Sequence, residues 1–343
     1  MSAAPDEFAL IAELFAPLSV GAPGALGLGD DVARLDIPAG CEVVVTTDTL
    51  VAGVHFFADD PAALIACKLV RVNLSDLAAK GARPFAVLLA AAFPRGVDMT
   101  WLRAFAAGLG DDLGAGGIAL IGGDTVATPG PLTLTLTAFG AVAPGQALLR
   151  RGAAVGDLIW VSGTIGDAAL GLRVRRGELP GLEPAAAAFL RQRYLLPSPR
   201  LALGPALVGL ASAAMDVSDG LVQDLGHLCR QSGVAARLEA ARVPLSAPAR
   251  QVVGHDQSAL ACILGGGDDY EILFTAPPEH AEALHHLTRR IGVPLTEIGR
   301  IEAGQGVTVL DGDGRPLTLA AEGWRHFGGG VGPSGVAPSK GTD

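Results

Sequence analysis

The sequence lacks long hydrophobic runs, although its mean hydropathy is +0.41. Its longest apolar segments, such as residues 85–93, are too short for a membrane-spanning helix, which needs about 20 residues. The first residues also lack the basic-then-apolar order of a signal peptide, because Pro5, Asp6 and Glu7 interrupt them. These absences predict a soluble cytoplasmic protein with no membrane partner.

Paired cysteines are absent as well. Cys41, Cys67, Cys229 and Cys262 are scattered, and no C-x-x-C motif occurs. This spacing argues against a zinc site and against a disulfide framework. The formal net charge of −10 disfavours a nucleic-acid surface, which would show basic clusters.

The usual nucleotide-binding motifs are also missing. Lysine occurs only at Lys68, Lys80 and Lys340, and no G-x-x-x-x-G-K-[ST] motif is present. No G-x-G-x-x-G follows a predicted strand, and neither G-x-S-x-G nor H-E-x-x-H occurs. If this protein binds ATP, we expect it to hold the phosphates through metal ions bound to carboxylates.

What the sequence does contain is an alternation of predicted strands and helices over 343 residues. This alternation predicts an α/β protein of two domains. The domains are expected at 1–149 and 150–327, and residues 328–343 are expected to form a disordered tail because they contain few apolar groups. Strands are predicted at 32–37, 42–47, 85–93, 118–121, 132–139, 158–162, 213–217 and 272–274. Helices are predicted at 5–18, 61–80, 98–113, 167–176, 185–195, 199–211 and 221–232.

The stretch from Thr46 to Ala82 has the clearest pattern of a site. A hydrophobic strand becomes polar at Thr47 and Asp48, His55 follows, and an amphipathic helix then carries Asp76 near its end. A histidine between aliphatic and aromatic residues is often a packed side chain, so the residues themselves leave the role of His55 open. For Trp324, the residues themselves favour the last hydrophobic anchor of the chain over a stacking platform.

Three segments share one predicted arrangement, in which a buried strand ends in a polar turn that carries aspartate. They are Val45–Asp48, Ile121–Thr125 and Met215–Gly220. An aspartate beside glycine is ordinary turn or helix-cap chemistry when it occurs once. Repetition of the pattern, together with Asp31 and Asp76, favours Mg²⁺ ions that share their ligands with phosphate.

These motifs, in this order, resemble the thiamine-monophosphate kinase family of the aminoimidazole-ribonucleotide-synthetase-like superfamily. The resemblance covers about residues 6–327. Its segments are Gly29–Asp31, Thr46–Phe56, Asn73–Ala79, Gly122–Thr125, Met215–Leu221, Gly266–Glu271 and Gly323–Phe327. It implies two α/β domains of the superfamily type, with N-terminal sheets that pair across a homodimer. The strand predicted at 132–139 alternates with period two, which fits such pairing if its face lies on the surface.

The resemblance also implies an activity, the ATP- and Mg²⁺-dependent phosphorylation of thiamine monophosphate in thiamine diphosphate biosynthesis. The absence of any Ser/His or Cys/His pair predicts direct in-line transfer without a protein nucleophile. The resemblance further implies three sets of site residues. The ligands of several Mg²⁺ ions would be Asp31, Thr46, Thr47, Asp48, Asp76, Asp124, Asp216 and Asp219. ATP would contact Gly123, Asp124, Arg150 and Ser218, while thiamine monophosphate would contact His55, Asp268 and Trp324.

Two positions depart from the family pattern. Asp268 stands where the family usually has glutamate, and Lys80 stands where methionine is common. The alternatives are another ATP-using member, such as aminoimidazole ribonucleotide synthetase or selenophosphate synthetase, or a catalytically idle nucleotide-binding dimer. Residues 18–29 lack the reactive cysteine expected of a selenophosphate synthetase. An idle protein would have no need to keep all of Asp48, Asp76, Asp124 and Asp216.

Overall fold

A computed structural model of the chain describes residues 7–319 and Gly323. The described residues divide into two compact units. The first unit contains residues 7–77 and 83–144, and the second contains residues 78–82 and 145–319 together with Gly323. Trp324 and the predicted tail at 328–343 lie outside the described residues.

Strands and helices alternate through most of the chain. The strands are β1 (Glu42–Val51), β2 (Arg83–Pro94), β3 (Ala119–Thr128), β4 (Thr133–Val142), β5 (Leu158–Ser162), β6 (Ala213–Asp216), β7 (Ala235–Glu239), β8 (Ile272–Ala276), β9 (Leu295–Glu302) and β10 (Gly306–Leu310). The helices are α1 (Glu7–Leu10), α2 (Ala62–Ala79), α3 (Met99–Gly116), α4 (Asp167–Arg175), α5 (Pro184–Leu195), α6 (Leu203–Leu207), α7 (Leu221–Ser232), α8 (Ala247–His255), α9 (Ala259–Gly265) and α10 (Ala281–Ile291). Among the described residues, no helix is long and apolar enough to cross a membrane.

The first unit is built on a four-stranded sheet in the order β1-β4-β2-β3. The pairs β1–β4 and β4–β2 are antiparallel, and β2–β3 is parallel. On β4, buried residues alternate with partly exposed ones, as the period-two pattern predicted. One face of this sheet is therefore packed, and the other is open.

The second unit is built on a six-stranded mixed sheet in the order β10-β7-β9-β5-β8-β6. Both faces of its central strands are covered. Ile159 and Val161 of β5 belong to one hydrophobic core, whereas Leu158 and Trp160 belong to another. Burial on both faces explains why these strands read as continuous apolar runs in the sequence.

One predicted strand is absent. Residues 32–37 have no regular secondary structure, although their apolar residues suggested a strand. The Arg34 N–H donates to the Gly24 carbonyl at 2.8 Å, so this segment is bonded to the preceding 3₁₀ turns of Pro23–Leu28 instead of joining the sheet. The helix predicted at 199–211 is also shorter than expected, because α6 spans only Leu203–Leu207.

Two of the three predicted acidic turns are wrong. Thr46–Asp48 lie inside β1, which pairs with β4 along its whole length. Gly122–Thr125 lie inside β3, which pairs with β2 beyond Thr125. Only Met215–Gly220 has the predicted form, since β6 ends at Asp216 and an irregular segment precedes α7. Long-range strand pairing overrides the local preference of glycine and aspartate for turns.

The position of β4 also limits how two sheets can pair. It lies between β1 and β2, so its backbone groups are already used inside the sheet. The edge strands of this sheet are β1 and β3. A partner subunit can therefore contact β4 only through the open face of the sheet and not by adding a strand to it.

Candidate active site

The first group of candidate residues lies where α2 meets β1. The Thr46 hydroxyl donates to Asp76 Oδ2 at 2.5 Å, and the Asp48 N–H donates to Asn73 Oδ1 at 3.1 Å. Asn73 itself is fully buried and donates from its amide nitrogen to the Leu69 carbonyl. This helix therefore places Asp76 beside the strand that carries Asp48, as the sequence predicted.

Thr47 points to the other face of the sheet. Its hydroxyl donates to the Leu136 carbonyl at 3.2 Å and accepts from the Thr137 hydroxyl at 3.1 Å. The alternation of side chains along a strand thus separates Thr47 from Thr46 and Asp48. The Thr47 hydroxyl therefore lies on the open face, where it is already hydrogen-bonded within the sheet.

A second group surrounds a cavity of about 440 Å³ at the open face. The exposed side chains of Asp30, Asp31 and Asp124 line it, together with Gly123. A Cβ atom at Gly123 would lie 1.8 Å from the Leu89 carbonyl oxygen, so only glycine permits this approach of β3 to β2. The cavity has room for a ligand of moderate size and offers it hard oxygen donors.

The sheet register keeps these two groups apart. Asp48 pairs with Leu136, Leu136 with Leu89, and Leu89 with Gly123, so these four residues share one face. Asp124 is the next residue along β3 and belongs to the opposite face. Within the first unit, Asp124 therefore lies three strands away from Asp48 and on the other side of the sheet.

His55 lies in the turn after β1. The Val51 N–H donates to His55 Nδ1 at 3.0 Å, which places the ring proton of the neutral imidazole on Nε2. The ammonium group of Lys68, a residue that is only 2% exposed, donates to the His55 carbonyl at 3.1 Å. Sequence reasoning missed Lys68; the only available signal was a lysine inside an apolar helix of a lysine-poor chain.

In the second unit, the segment after β6 is held by a residue that the sequence did not reveal. Asp224, in the first turn of α7, accepts the N–H groups of Ser218 (3.0 Å), Asp219 (3.0 Å) and Gly220 (3.1 Å) through Oδ2. Burial raises the pKa of Asp224 to about 7, with a further contribution from the charge of Asp219, while these N–H bonds act in the opposite direction. In the sequence, the indication of this role was an acid in the first turn of the helix predicted at 221–232, which is a position typical of helix capping.

This arrangement limits how Ser218 can contact a phosphate. Its N–H is bonded to Asp224, and its carbonyl accepts the Asp268 N–H at 2.9 Å. The main-chain N–H groups of the segment are therefore directed at an internal carboxylate. A contact from Ser218 to ATP would use the hydroxyl group.

Asp268 belongs to the loop that connects α9 to β8. Besides the bond to Ser218, the Tyr270 N–H donates to the Val217 carbonyl at 2.8 Å, and the Val217 N–H donates to the Glu271 carbonyl at 2.8 Å. Three hydrogen bonds therefore join this loop to the segment after β6. The Tyr270 hydroxyl donates to Asp268 Oδ1 at 3.3 Å. The structure thus brings together Asp268 and Ser218, which the sequence assigned to different substrates.

Lys80, the second departure from the family pattern, makes a hydrogen bond to the second sheet. Its ammonium group donates to the Ala214 carbonyl at 2.8 Å on β6, an edge strand of the second sheet. The Ala214 N–H donates in turn to the Leu149 carbonyl, next to the exposed Arg150. Lys80 therefore satisfies a carbonyl on the strand that ends at Asp216, a residue that is 3% exposed.

Near the end of the described chain, Gly323 lies against α7. A Cβ atom at this position would be 2.4 Å from Cβ of Gln223, so a larger residue would force a shift. Trp324, the predicted substrate contact, lies outside the described residues.

The donors fit magnesium better than zinc. In the parts of the chain that the structure describes, no three histidine, cysteine, aspartate or glutamate side chains are grouped closely enough to hold a metal ion by themselves. The candidate groups offer carboxylate and hydroxyl oxygens, which are ligands for a hard cation that completes its shell with water and phosphate.

Both halves of the chain match known families. Residues 29–142 match the AIR synthase related protein, N-terminal domain, and residues 154–312 match the AIR synthase related protein, C-terminal domain. The fold is thus that of a two-domain AIR-synthase-related protein, which confirms the predicted fold class.

Individual relatives narrow the family further than the two domain matches do. Thiamine-monophosphate kinase of Caulobacter vibrioides is 43% identical over 328 residues, which cover 95% of this chain and 92% of that protein. The crystal structure of thiamine-monophosphate kinase from Stenotrophomonas maltophilia K279a is 47% identical, covers 84% of this chain and 90% of its own, and has a TM-score of 0.77. The structure of AaThiL complexed with AMPPCP and TMP is 30% identical, covers 94% of this chain and 97% of its own, and has a TM-score of 0.75. This chain belongs to the thiamine-monophosphate kinase family.

Proposed function

We propose that this protein transfers the γ-phosphoryl group of ATP to thiamine monophosphate, which yields thiamine diphosphate and ADP. Family membership supports the reaction, and so does the relative complexed with AMPPCP and TMP, since AMPPCP is an analogue of ATP. The observation that carries the proposal is the hydrogen bond between Asp268 and the Ser218 carbonyl. It joins the residue proposed for the thiamine substrate to the residue proposed for ATP, as a transfer between two bound substrates requires.

Magnesium ions are proposed at the carboxylates of the two units. The ligands would come from Asp31, Thr46, Thr47, Asp48, Asp76, Asp124, Asp216 and Asp219, and ATP would also contact Gly123 and Arg150. When bound, Mg²⁺ supplies positive charge that reduces the repulsion between the two anionic phosphates. The Thr46 hydroxyl orients Asp76 by its hydrogen bond, and Asn73 fixes the main chain at Asp48.

We propose direct in-line transfer without a phosphorylated protein intermediate. The acceptor phosphate is largely ionised near neutral pH, because its second pKa is about 6, so it needs no general base. Two of the four cysteines, Cys67 and Cys229, are poor nucleophiles, since burial raises the pKa of each thiol to about 11. Detection of a phosphorylated residue by mass spectrometry after mixing with ATP would contradict this mechanism.

A homodimer is proposed through the open face of the first sheet. The hydroxyls of Thr49 and Thr135 lie 2.8 Å apart on this face, and Val45 and Val126 on the two edge strands are 58% and 48% exposed. Small side chains and exposed valines on this face suit contact with a second copy. Light scattering coupled to size-exclusion chromatography measures the mass; a monomer at micromolar concentration would contradict the dimer.

The reaction itself is tested with purified protein, ATP, Mg²⁺ and thiamine monophosphate, followed by chromatography of the thiamine products. We expect thiamine diphosphate to form in proportion to ADP. Omission of Mg²⁺ or replacement of the acceptor by thiamine should abolish the product. Absence of thiamine diphosphate in the complete mixture would overturn the proposed function.

A further inference from the structure

The loop that carries Asp268 has an unfavourable backbone conformation. Asp268 has φ +70° and Tyr270 has φ +52°, so two non-glycine residues adopt the left-handed region in one short segment. This region is unfavourable for residues with a Cβ atom, and tyrosine lacks the short polar side chain that lets aspartate tolerate it. Such a conformation persists only where surrounding contacts hold it.

The residue between them supplies one such contact. Asp269 is 1% exposed, and its carboxylate accepts the Gly166 N–H at 2.6 Å and the Ala168 N–H at 3.3 Å. These donors belong to the first turn of α4 and the residue before it. Asp269 thus occupies a helix N-terminus from inside the protein, where N–H groups and the helix dipole favour a negative charge.

The far end of the loop is held by Glu271, which is 0% exposed. It accepts the Ser162 hydroxyl at 2.6 Å and Arg193 at 3.0 Å, and it also pairs with Arg200. The Gly163 position is packed against this carboxylate, since a Cβ atom there would lie 2.2 Å from Glu271 Oε1. The middle and the far end of the strained segment are therefore fixed to β5, α4 and α5.

We propose that Asp269 is a positioning residue for the acceptor side of the reaction. It touches neither substrate; its two hydrogen bonds to the start of α4 hold the left-handed residues on either side, and thereby the direction of the Asp268 carboxylate. The same loop donates hydrogen bonds to the carbonyl groups of Val217 and Ser218. Asp269 therefore also keeps Asp268 beside Ser218, the residue proposed to contact ATP. This inference rests on the proposed function, because it takes Asp268 as a contact of thiamine monophosphate.

The test measures steady-state kinetics of Asp269→Asn and Asp269→Ala with each substrate varied in turn. Asparagine keeps one acceptor oxygen for the Gly166 N–H, whereas alanine keeps none. We expect the KM for thiamine monophosphate to rise about tenfold or more in the alanine variant and less in the asparagine variant, with a much smaller change in the KM for ATP. Asp313→Asn, an exposed acid in the same unit, is the control and should leave both constants unchanged.

A purely structural role predicts a different result. Loss of folded enzyme lowers the apparent kcat but leaves the KM of the remaining enzyme unchanged. If Asp269→Ala does not fold, the near-isosteric asparagine variant still answers the question. An unchanged KM for thiamine monophosphate, or an equal rise for both substrates, would overturn the inference. Wild-type protein that makes no thiamine diphosphate would instead refute the proposed function.

Discussion

The carboxylates of the two units stand in contrasting surroundings. In the first unit, Asp30, Asp31 and Asp124 are exposed around a cavity, and Asp48 and Asp76 are partly exposed. In the second unit, Asp224, Asp269 and Glu271 are buried and each accepts two or more hydrogen bonds. A carboxylate next to a glycine-rich segment can therefore be a ligand for an ion or an internal hydrogen-bond acceptor that fixes the backbone. Among these eight carboxylates, burial together with several internal donors marks the three that hold the backbone, whereas Asp216, which is proposed for metal, is buried as well.

The largest effect is expected from a carboxylate of the first unit. Asp48→Asn keeps the size of the side chain and removes its charge, so kcat/KM should fall by roughly a thousandfold, as when a main electrostatic contact is lost. The free energy of unfolding should remain close to that of the wild type. Activity assays and urea unfolding measure the two quantities.

Asp111→Asn is the matched control for Asp48→Asn, because Asp111 is an exposed acid on α3 of the same unit. It should leave both activity and stability unchanged. Full activity in Asp48→Asn would show that this aspartate is no metal ligand.

A loss of stability is expected instead from a buried carboxylate of the second unit that fixes the backbone. Asp224→Ala leaves three main-chain N–H groups without their acceptor, and we expect the free energy of unfolding to fall by about 2–4 kcal/mol. Asp219→Ala, in the same segment, should change stability far less because Asp219 is partly exposed and is proposed for metal. Equal losses of stability in the two variants would show that Asp224 does not stabilise the backbone more than Asp219 does.

A smaller effect is expected in the pH dependence of stability. Burial raises the pKa of Asp269 well above the ordinary 3.8, with the charge of Asp167 adding to the rise, while the bonds to Gly166 and Ala168 and the charge of Arg193 oppose it. The folded state therefore binds this proton more tightly than the unfolded chain, so its contribution is full below pH 3.8 and is lost as the pH rises through the raised pKa.

Asp269→Asn has no such proton. The stability advantage of the wild type over this variant should thus be larger at pH 5 than at pH 8 in urea unfolding. A difference that does not vary with pH would indicate that Asp269 titrates normally.

The smallest effects on kcat/KM are expected at two neighbouring residues of β1. Thr46→Val removes the hydrogen bond to Asp76 and should lower kcat/KM by about tenfold. Thr47→Val removes only contacts to Leu136 and Thr137 and should change it by less than about threefold. Steady-state kinetics of both variants decide the matter, and a larger loss in Thr47→Val would place its hydroxyl in the site.

Several elements could be predicted from sequence patterns. The predicted helix at 61–80 corresponds to α2 and delivers Asp76 to β1, and the alternating residues at 132–139 form most of β4. Such elements have strong periodicity, so local sequence is sufficient to indicate them. The strand predicted at 32–37 is wrong because its backbone is bonded to the 3₁₀ turns before it, a choice that no local pattern encodes.

By itself, the sequence determined the family, the two α/β halves and the order of the aspartate-containing motifs, because these depend on residue identity and spacing along the chain. Only the tertiary structure decided the surroundings of each aspartate. Strand pairing drew Asp48 and Asp124 into β1 and β3 and turned them to opposite faces. Packing of helix starts against loops left Asp224 and Asp269 buried as internal acceptors. Both outcomes depend on contacts between residues far apart in the chain, and the free energy of burying a polar group depends on those partners.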